Sequence, residues 1–320
     1  MKDLTILLTL YDRGGYYEYP KRWTNFANIH LNNFKILIAD GTGIKKTEDF
    51  FTNKNNFPNL DLSYRRYPKD NSYKDYFSKL DKSISKVKTK YMVLADDDDF
   101  YSANGLIKSI DFLEKNNDFS TCRGLIGSFK LSKHKNLSHA FLPKIQNSFS
   151  KNKPIDRFKS FYAETNISPI FYDVHKSDLQ KKNFKRLNQG NFIEPVMVEM
   201  LTEMLDILQG KIGRINELYL MRQLDKNNSA HKQYVDKSGD IMHRLCFGDF
   251  THDLKIWAEI ISSEIANNEN IPDHESKNLV TTTYKKAIIE SLQINKKNKY
   301  KIQIFFDSLL RYINKKDIYK

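Results

Sequence analysis

A short apolar run that ends in four consecutive carboxylates, Tyr91-Met-Val-Leu-Ala-Asp-Asp-Asp-Asp99, constrains this chain more than any other stretch. Tyr91 to Ala95 has neither a turn residue nor a charge, the pattern of a strand buried on both faces. Asp96, Asp97, Asp98 and Asp99 repel one another, so a fold that gathers them at a strand end needs a compensating cation. Hard divalent ions such as Mg²⁺ or Mn²⁺ meet that need, taking one or two carboxylates plus phosphate oxygens as ligands. At the carboxyl end of a strand in an open α/β sheet, this is the position of a nucleotide-phosphate site. The alternative is a solvated acidic loop, although such loops seldom follow a buried strand directly. An EF-hand is excluded, because counting from Asp96 or Asp98 reaches neither the required Gly nor the closing Glu.

The chain has 320 residues, 40% of them hydrophobic and 13% aromatic, which supports a packed core and excludes global disorder. That length holds one large domain, or a domain with a substantial appendage. Lys and Arg outnumber Asp and Glu by 52 to 39, for a net charge of +13. Such a balance favours polyanionic partners: nucleic acid, an anionic membrane surface or phosphorylated substrates. Enrichment of Lys and Asn by an AT-rich genome is the plainer explanation. Cys122 and Cys246 lie far apart with no metal-ligand spacing, which fits a reducing cytosol. The run Leu4–Leu10 is too short for a signal peptide or a membrane span, and no later segment reaches transmembrane length.

Strands are expected at Leu4–Leu10, Phe34–Ala39 and Leu60–Tyr67, with a helix over Lys21–Ile29 after Pro20. Tyr73, Tyr76, Phe77, Leu80, Ile84 and Val87 recur at helical spacing ahead of the acidic strand, and Ala103–Asn116 reads as a further helix. Strands alternating with helices imply a mostly parallel sheet with right-handed crossovers. Leu125–Leu131, Ile170–Val174 and Ile212–Leu220 look like later strands. Between the last two, Ile193, Val196, Met197, Met200, Leu201, Met204, Leu205 and Leu208 mark an amphipathic helix closed by Gly210. Beyond Cys246 the signal is helical.

Several of these segments resemble one family in order and spacing. A strand followed by Asp96-Asp97-Asp98-Asp99 looks like the Asp-x-Asp motif of GT-A fold glycosyltransferases. The opening strand through Tyr11-Asp-Arg13 is similar to the first strand and turn of family-2-like members, and Phe34 to Thr42 resembles their second strand. Asp156-Arg157, Phe171-Tyr-Asp-Val-His175 and Gly210-Lys211 through Tyr219-Leu-Met-Arg-Gln223 continue the likeness to a bacterial subgroup with an ADDDDF signature. The resemblance covers roughly the first two-thirds of the chain. A Glu-Asp pair and a Gln-x-x-Arg-Trp motif, found in the broader family, are not evident. It implies an α/β GT-A type sheet, mostly parallel and flanked by helices, with a helical C-terminal extension. Residues 1–245 would form the catalytic domain, 1–124 binding the nucleotide-sugar and 125–245 the acceptor, followed by 246–320 as the extension.

The same resemblance assigns roles. Asp96 would face the ribose and Asp98 would ligate Mn²⁺ or Mg²⁺ with support from Asp99, while Asp97 is the uncertain member. Asp40 would accept from a nucleobase imide, its alternative role being a cap on the turn at Gly41. Tyr11 and Arg13, just past the first strand, would meet the nucleotide. Lys79, on the helix before the acidic strand, would reach the diphosphate or else be a surface lysine. An inverting transferase needs a general base for the acceptor hydroxyl. Counting back from Gly210 puts Glu199 in that register, with Glu203 on the same helix face. His231 would be a third metal ligand, with His243 as its competitor, and Arg222 a phosphate or acceptor contact. The basic amphipathic stretch Tyr300–Ile313 would lie on an anionic membrane or pack against protein.

The expected function is metal-dependent transfer of a sugar from a nucleotide-sugar donor to a glycan or lipid-linked acceptor in surface-polysaccharide assembly, in the cytoplasm. A sugar nucleotidyltransferase shares strands, carboxylates and metal but needs a Gly-rich triphosphate loop, and Tyr11-Asp-Arg-Gly-Gly-Tyr16 has only two glycines. A basic nucleic-acid-binding protein is the non-enzymatic rival. No nucleic acid is expected as partner, because the acidic cluster would repel its phosphates.

Overall fold

The structure, a computed structural model, describes residues 2–12, 18–131, 137–141, 147–163, 170–192, 194–224 and 251–291. Arg13, His231, His243, Cys246 and the stretch 300–313 lie outside the described residues.

The expected strands form because their side chains have apolar surroundings on both sides. β1 (Leu4–Leu10) is buried along its whole length, β2 (Lys35–Asp40) after its first residue, and β4 (Tyr91–Asp96) up to Ala95. β3 (Asp61–Arg66) is the edge strand and alternates between half-buried and exposed residues. β1 pairs in parallel with β2 and with β4, and β2 in parallel with β3, so four strands bring their carboxyl ends to one edge. Between them run α1 (Glu18–His30), α2 (Lys45–Thr52) and α3 (Tyr73–Ile84). α3 starts where Ser72 accepts a hydrogen bond from the Asp75 N–H.

Beyond β4 come β5 (Phe100–Tyr101), α4 (Ala103–Lys115), β6 (Phe119–Leu131), β7 (Leu137–Phe141), α5 (Pro154–Ala163), β8 (Val174–Lys176), α6 (Ser177–Gly190), α7 (Pro195–Gln209) and β9 (Lys211–Gln223). The sheet order is β3-β2-β1-β4-β8-β6-β9-β5, with β7 paired to β6. Among the described residues the six longer core strands share one direction, and β5, β7 and β8 run against it. The α/β, mostly parallel sheet flanked by helices is the expected architecture.

Three local expectations change. Ile170–Val174 reads as a strand, yet Ile170–Tyr172 is a 3-10 turn and only Val174–Lys176 pairs. Asp173, between the two, is drawn inward by Arg123 Nε at 2.9 Å and Arg214 Nη1 at 2.7 Å. α7 is buried beyond its apolar stripe: Val198, Thr202 and Asp206 are nearly as inaccessible as Met197, Leu201 and Met204, and Glu203 is buried with them. Gly210 closes α7 as expected but in extended backbone. A Cβ there would sit 2.7 Å from Ser120 N, so close approach to β6 requires the glycine.

α8 (Thr251–Glu269) and α9 (Asp273–Ser291) extend the helical part. α8 places Leu254, Trp257, Ile261 and Ile265 in the common core. Asp253 Oδ2 accepts from the Glu194 N–H at 2.7 Å, and Arg186 meets Glu264 at 2.7 Å.

Candidate active site

The acidic turn lies at the carboxyl edge of the parallel strands. Oxygens of Asp96, Asp98 and Asp99 all lie within 4.8 Å of one another, a donor set that fits a hard divalent ion such as Mn²⁺ or Mg²⁺. Asp97 and Asp98 are buried in the turn between β4 and β5. Asp96, at the end of β4, accepts from the Tyr172 hydroxyl on Oδ2 at 2.7 Å and from Thr9 on Oδ1 at 3.3 Å. The second distance is long for O–H···O, so Tyr172 is the stronger hold.

Asp99 faces β9. Its Oδ1 accepts from the Gln223 N–H and its Oδ2 from Arg222 Nε, both at 3.1 Å. Burial pushes its carboxyl up to about 7, the opposing pull of Arg222 being the next largest influence, while Asp96 and Asp98 add to the rise. The Arg222 guanidinium lies 4.7 Å from the centre of the Tyr172 ring. Burial works against its charge, but Tyr172, Asp99, Asp96 and Glu199 around it raise its proton affinity above that of an ordinary arginine.

Glu199 comes off the first turns of α7 towards this cluster. Burial pushes its carboxyl up to about 7, against Arg222 and with help from Asp96 and Glu194. Glu203, one turn on, points into the core, where Oε1 accepts from the Ile170 N–H at 2.8 Å. Burial and the neighbouring Glu199 take it up to about 8. The shared face expected for the two holds, but Glu203 is 8% exposed and is no surface carboxylate. Further along α7, Asp206 meets His175 Nδ1 at 3.1 Å.

The other expected residues sit around the nucleotide edge. Asp40 is buried, with Oδ1 accepting from the Thr42 N–H at 2.8 Å and Oδ2 from the Tyr64 hydroxyl. Oδ1 thus caps the turn at Gly41, and Oδ2 ties that turn to β3. Lys79 is neither a surface lysine nor free to reach a diphosphate. Its ammonium donates to the Leu10 carbonyl at 2.8 Å and to Asp70, with both side chains 1% exposed. Burial disfavours both charges, and direct contact holds them as a pair. Asp70 also fills the space a Cβ on Gly41 would take, so the pair locks the loops after β1, β2 and β3 together. Tyr11 lies half-buried just past β1.

Thr9 and Tyr172 fall in segments that carry the family likeness and Tyr76 in a helical stripe, but the sequence assigned none of the three a role in the site. Tyr76, half-buried on α3, shares a hydrogen bond with Thr9; burial of its hydroxyl above all, and then the charges of Asp96 and Glu199, hold its proton. The periodic hydrophobic stripe that placed Tyr76 gave no sign that its hydroxyl turns to the acidic turn.

A parallel strand set with an acidic turn at its carboxyl edge, continued through a short reversed strand into a mixed second half, defines a GT-A type fold. Among solved structures it is similar to S. aureus TarS. The TarS 1–349 complex with UDP-GlcNAc aligns at a TM-score of 0.58 and 12% identity, over 98% of this chain and 82% of that one. The complex with UDP aligns at 0.51 and 10%, over 93% and 77%. A longer TarS chain aligns at 0.53 and 11% over 93% of this chain, which spans 45% of that one. The likeness is one of fold. No protein-family model matches the sequence, and no curated protein matches it.

Proposed function

We propose that this chain is a glycosyltransferase that moves a sugar from a nucleotide-sugar to an acceptor hydroxyl, with inversion at the anomeric carbon. The observation that carries the reading is the meeting of two carboxylate sets. Asp96, Asp98 and Asp99 gather at the carboxyl edge of the parallel strands, and Glu199 faces Asp96 and Arg222 from α7. The TarS complexes with UDP and UDP-GlcNAc support a uridine-type donor on this fold.

In this reading Asp96 accepts from the ribose, and Tyr11 and the turn at Asp40 border the base. Asp98, with Asp96 and Asp99 beside it, would hold Mn²⁺ or Mg²⁺. When bound, such an ion neutralises charge on the departing diphosphate. Glu199 removes the proton from the acceptor hydroxyl, whose oxygen forms the new bond to the anomeric carbon as the bond to the diphosphate oxygen breaks. Its raised proton affinity suits that task near neutral pH. Arg222 adds positive charge where the diphosphate leaves or where an anionic acceptor docks. Glu203 supports the turn at Ile170 and is a candidate base only in second place.

The acceptor is a glycan or lipid-linked glycan of surface-polysaccharide assembly, reached from the cytoplasmic side with peripheral contact to an anionic membrane. No described helix is long and apolar enough to cross a membrane. Residues 1–124 serve the donor, 125–245 the acceptor, and 246–320 form the helical extension. The test is incubation with a panel of nucleotide-sugars, with and without Mn²⁺, scoring release of nucleoside diphosphate. Release that depends on the ion supports the reading, and no release from any donor, with acceptor extracts present, overturns it.

A further inference from the structure

The turn that carries Tyr172 is held at four points. At its start, the Ile170 N–H donates to Glu203 on α7. At its end, Asp173 is 0% exposed and takes Arg123 from β6, Arg214 from β9 and the Thr121 hydroxyl at 2.9 Å. The Tyr172 carbonyl accepts from the Tyr219 hydroxyl at 2.7 Å and from the Tyr101 hydroxyl at 3.3 Å. Those two rings meet edge to face, 5.3 Å apart, so β5 and β9 grip the same peptide.

From this post the side chain performs two contacts at once. Its hydroxyl fixes Asp96 Oδ2 and its ring lies beneath Arg222. A carboxylate at a strand end turns freely about its last torsion unless an oxygen is held. A 2.7 Å hydrogen bond to a charged acceptor holds it and leaves further lone pairs for a ligand. The ring face, meanwhile, attracts the guanidinium that bonds Asp99 and faces Glu199. Donor-side and acceptor-side groups are therefore referenced to one rigid residue.

We propose that Tyr172 is a positioning residue for nucleotide binding, acting through Asp96. The inference rests on the transferase reading above and adds a residue to it. Tyr172→Phe keeps the ring under Arg222 and removes only the hydroxyl. Its effect is expected on nucleotide affinity, with the acceptor KM unmoved.

The test is a double-mutant cycle read by calorimetry with UDP and Mn²⁺, on wild type, Y172F, D96A and the double variant, with melting temperatures in parallel. Y172F should bind UDP about ten-fold more weakly, the low end for a hydrogen bond to a charged group. In the D96A background, which has no acceptor for the hydroxyl, the same change should cost less than about two-fold, because both act through one contact. An equal loss in both backgrounds, or undiminished binding by a folded Y172F, overturns the inference alone. Wild-type chain that binds neither UDP nor any donor of the panel overturns the transferase reading and this inference with it.

Discussion

Asp99 is tied to Arg222 across the join of β5 and β9, Oδ2 to Nε at 3.1 Å, while its other oxygen takes the next backbone N–H on the same strand. The third carboxylate of the metal-competent group is thus also a clamp between the acidic turn and β9. Loss of Asp99 should therefore cost stability as well as a ligand to the ion.

Asp98→Ala should lower transfer by roughly 10³ or more, the several kcal/mol that an ion contributes at a diphosphate. Stability should change little, because crowded carboxylates without an ion do not hold a fold together. Transfer assayed with Mn²⁺ and with chelator, beside a melting curve, checks both halves. Full turnover in chelator would sink the metal assignment.

Glu199→Gln should reduce transfer by a factor of roughly 10² to 10⁴ while nucleotide binding survives. The wild-type rate should fall tenfold per unit as pH drops below about 7, since the base works only when ionised and burial sets its carboxyl there. The variant should lose that acid limb. If it keeps the limb, another group, with Asp99 as first suspect, is titrating.

Glu203→Gln should act on stability instead. The native carboxyl, pushed up to about 8, holds a proton that the unfolded chain releases near 4.5. Between those values the folded state binds more protons, so wild-type stability falls as pH rises, by up to about 1.4 kcal/mol per unit for one group. A glutamine still accepts from the Ile170 N–H and never ionises. Melting temperatures of the two proteins should agree near pH 5 and diverge by pH 8, with the variant higher.

Lys79→Met should cost about 3–5 kcal/mol, the penalty for leaving Asp70 charged and buried. Replacing Asp70 by Leu in the same protein should recover part of it. Urea unfolding of the single and double variants measures this. Near-wild-type stability of Lys79→Met, with lost nucleotide affinity, would return the residue to the diphosphate.

Asp40→Ala should lower stability by about 1–3 kcal/mol, because the buried Thr42 N–H and the half-buried Tyr64 hydroxyl lose their acceptor. If Asp40 also meets the base, UDP affinity drops while the ion requirement stays. Unchanged UDP binding in the folded variant would leave it a turn cap alone.

β1, β2 and β4 were legible because buried parallel strands are written as unbroken apolar runs. Glu199 was placed by counting back from Gly210, and the acidic turn by its own oddity. Burial of α7 on most of its faces was not legible, since the polar Thr202, Glu203 and Asp206 carry no local sign of cover. Their cover comes from distant elements, such as the Ile170 N–H on Glu203 and His175 on Asp206. The turn at Ile170–Tyr172 hid for the same reason, because Asp173 is recruited by arginines on two strands distant in sequence, β6 and β9. Tyr172 and Thr9 reach Asp96 from 76 and 87 residues away. Their segments carry the family likeness, but nothing local in them marks the contact with Asp96.

β8 stitches the parallel strands to β6 through three residues, with Tyr91 and Met92 on one side and Thr121 and Cys122 on the other. So narrow a seam asks little of the sequences it joins: two register pairs on each flank and an inward-turned carboxylate beside them. Arg123 and the Thr121 hydroxyl from β6, with Arg214 from β9, meet that carboxylate, so the second half of the sheet is anchored at the seam by a buried charge cluster as much as by strand pairing.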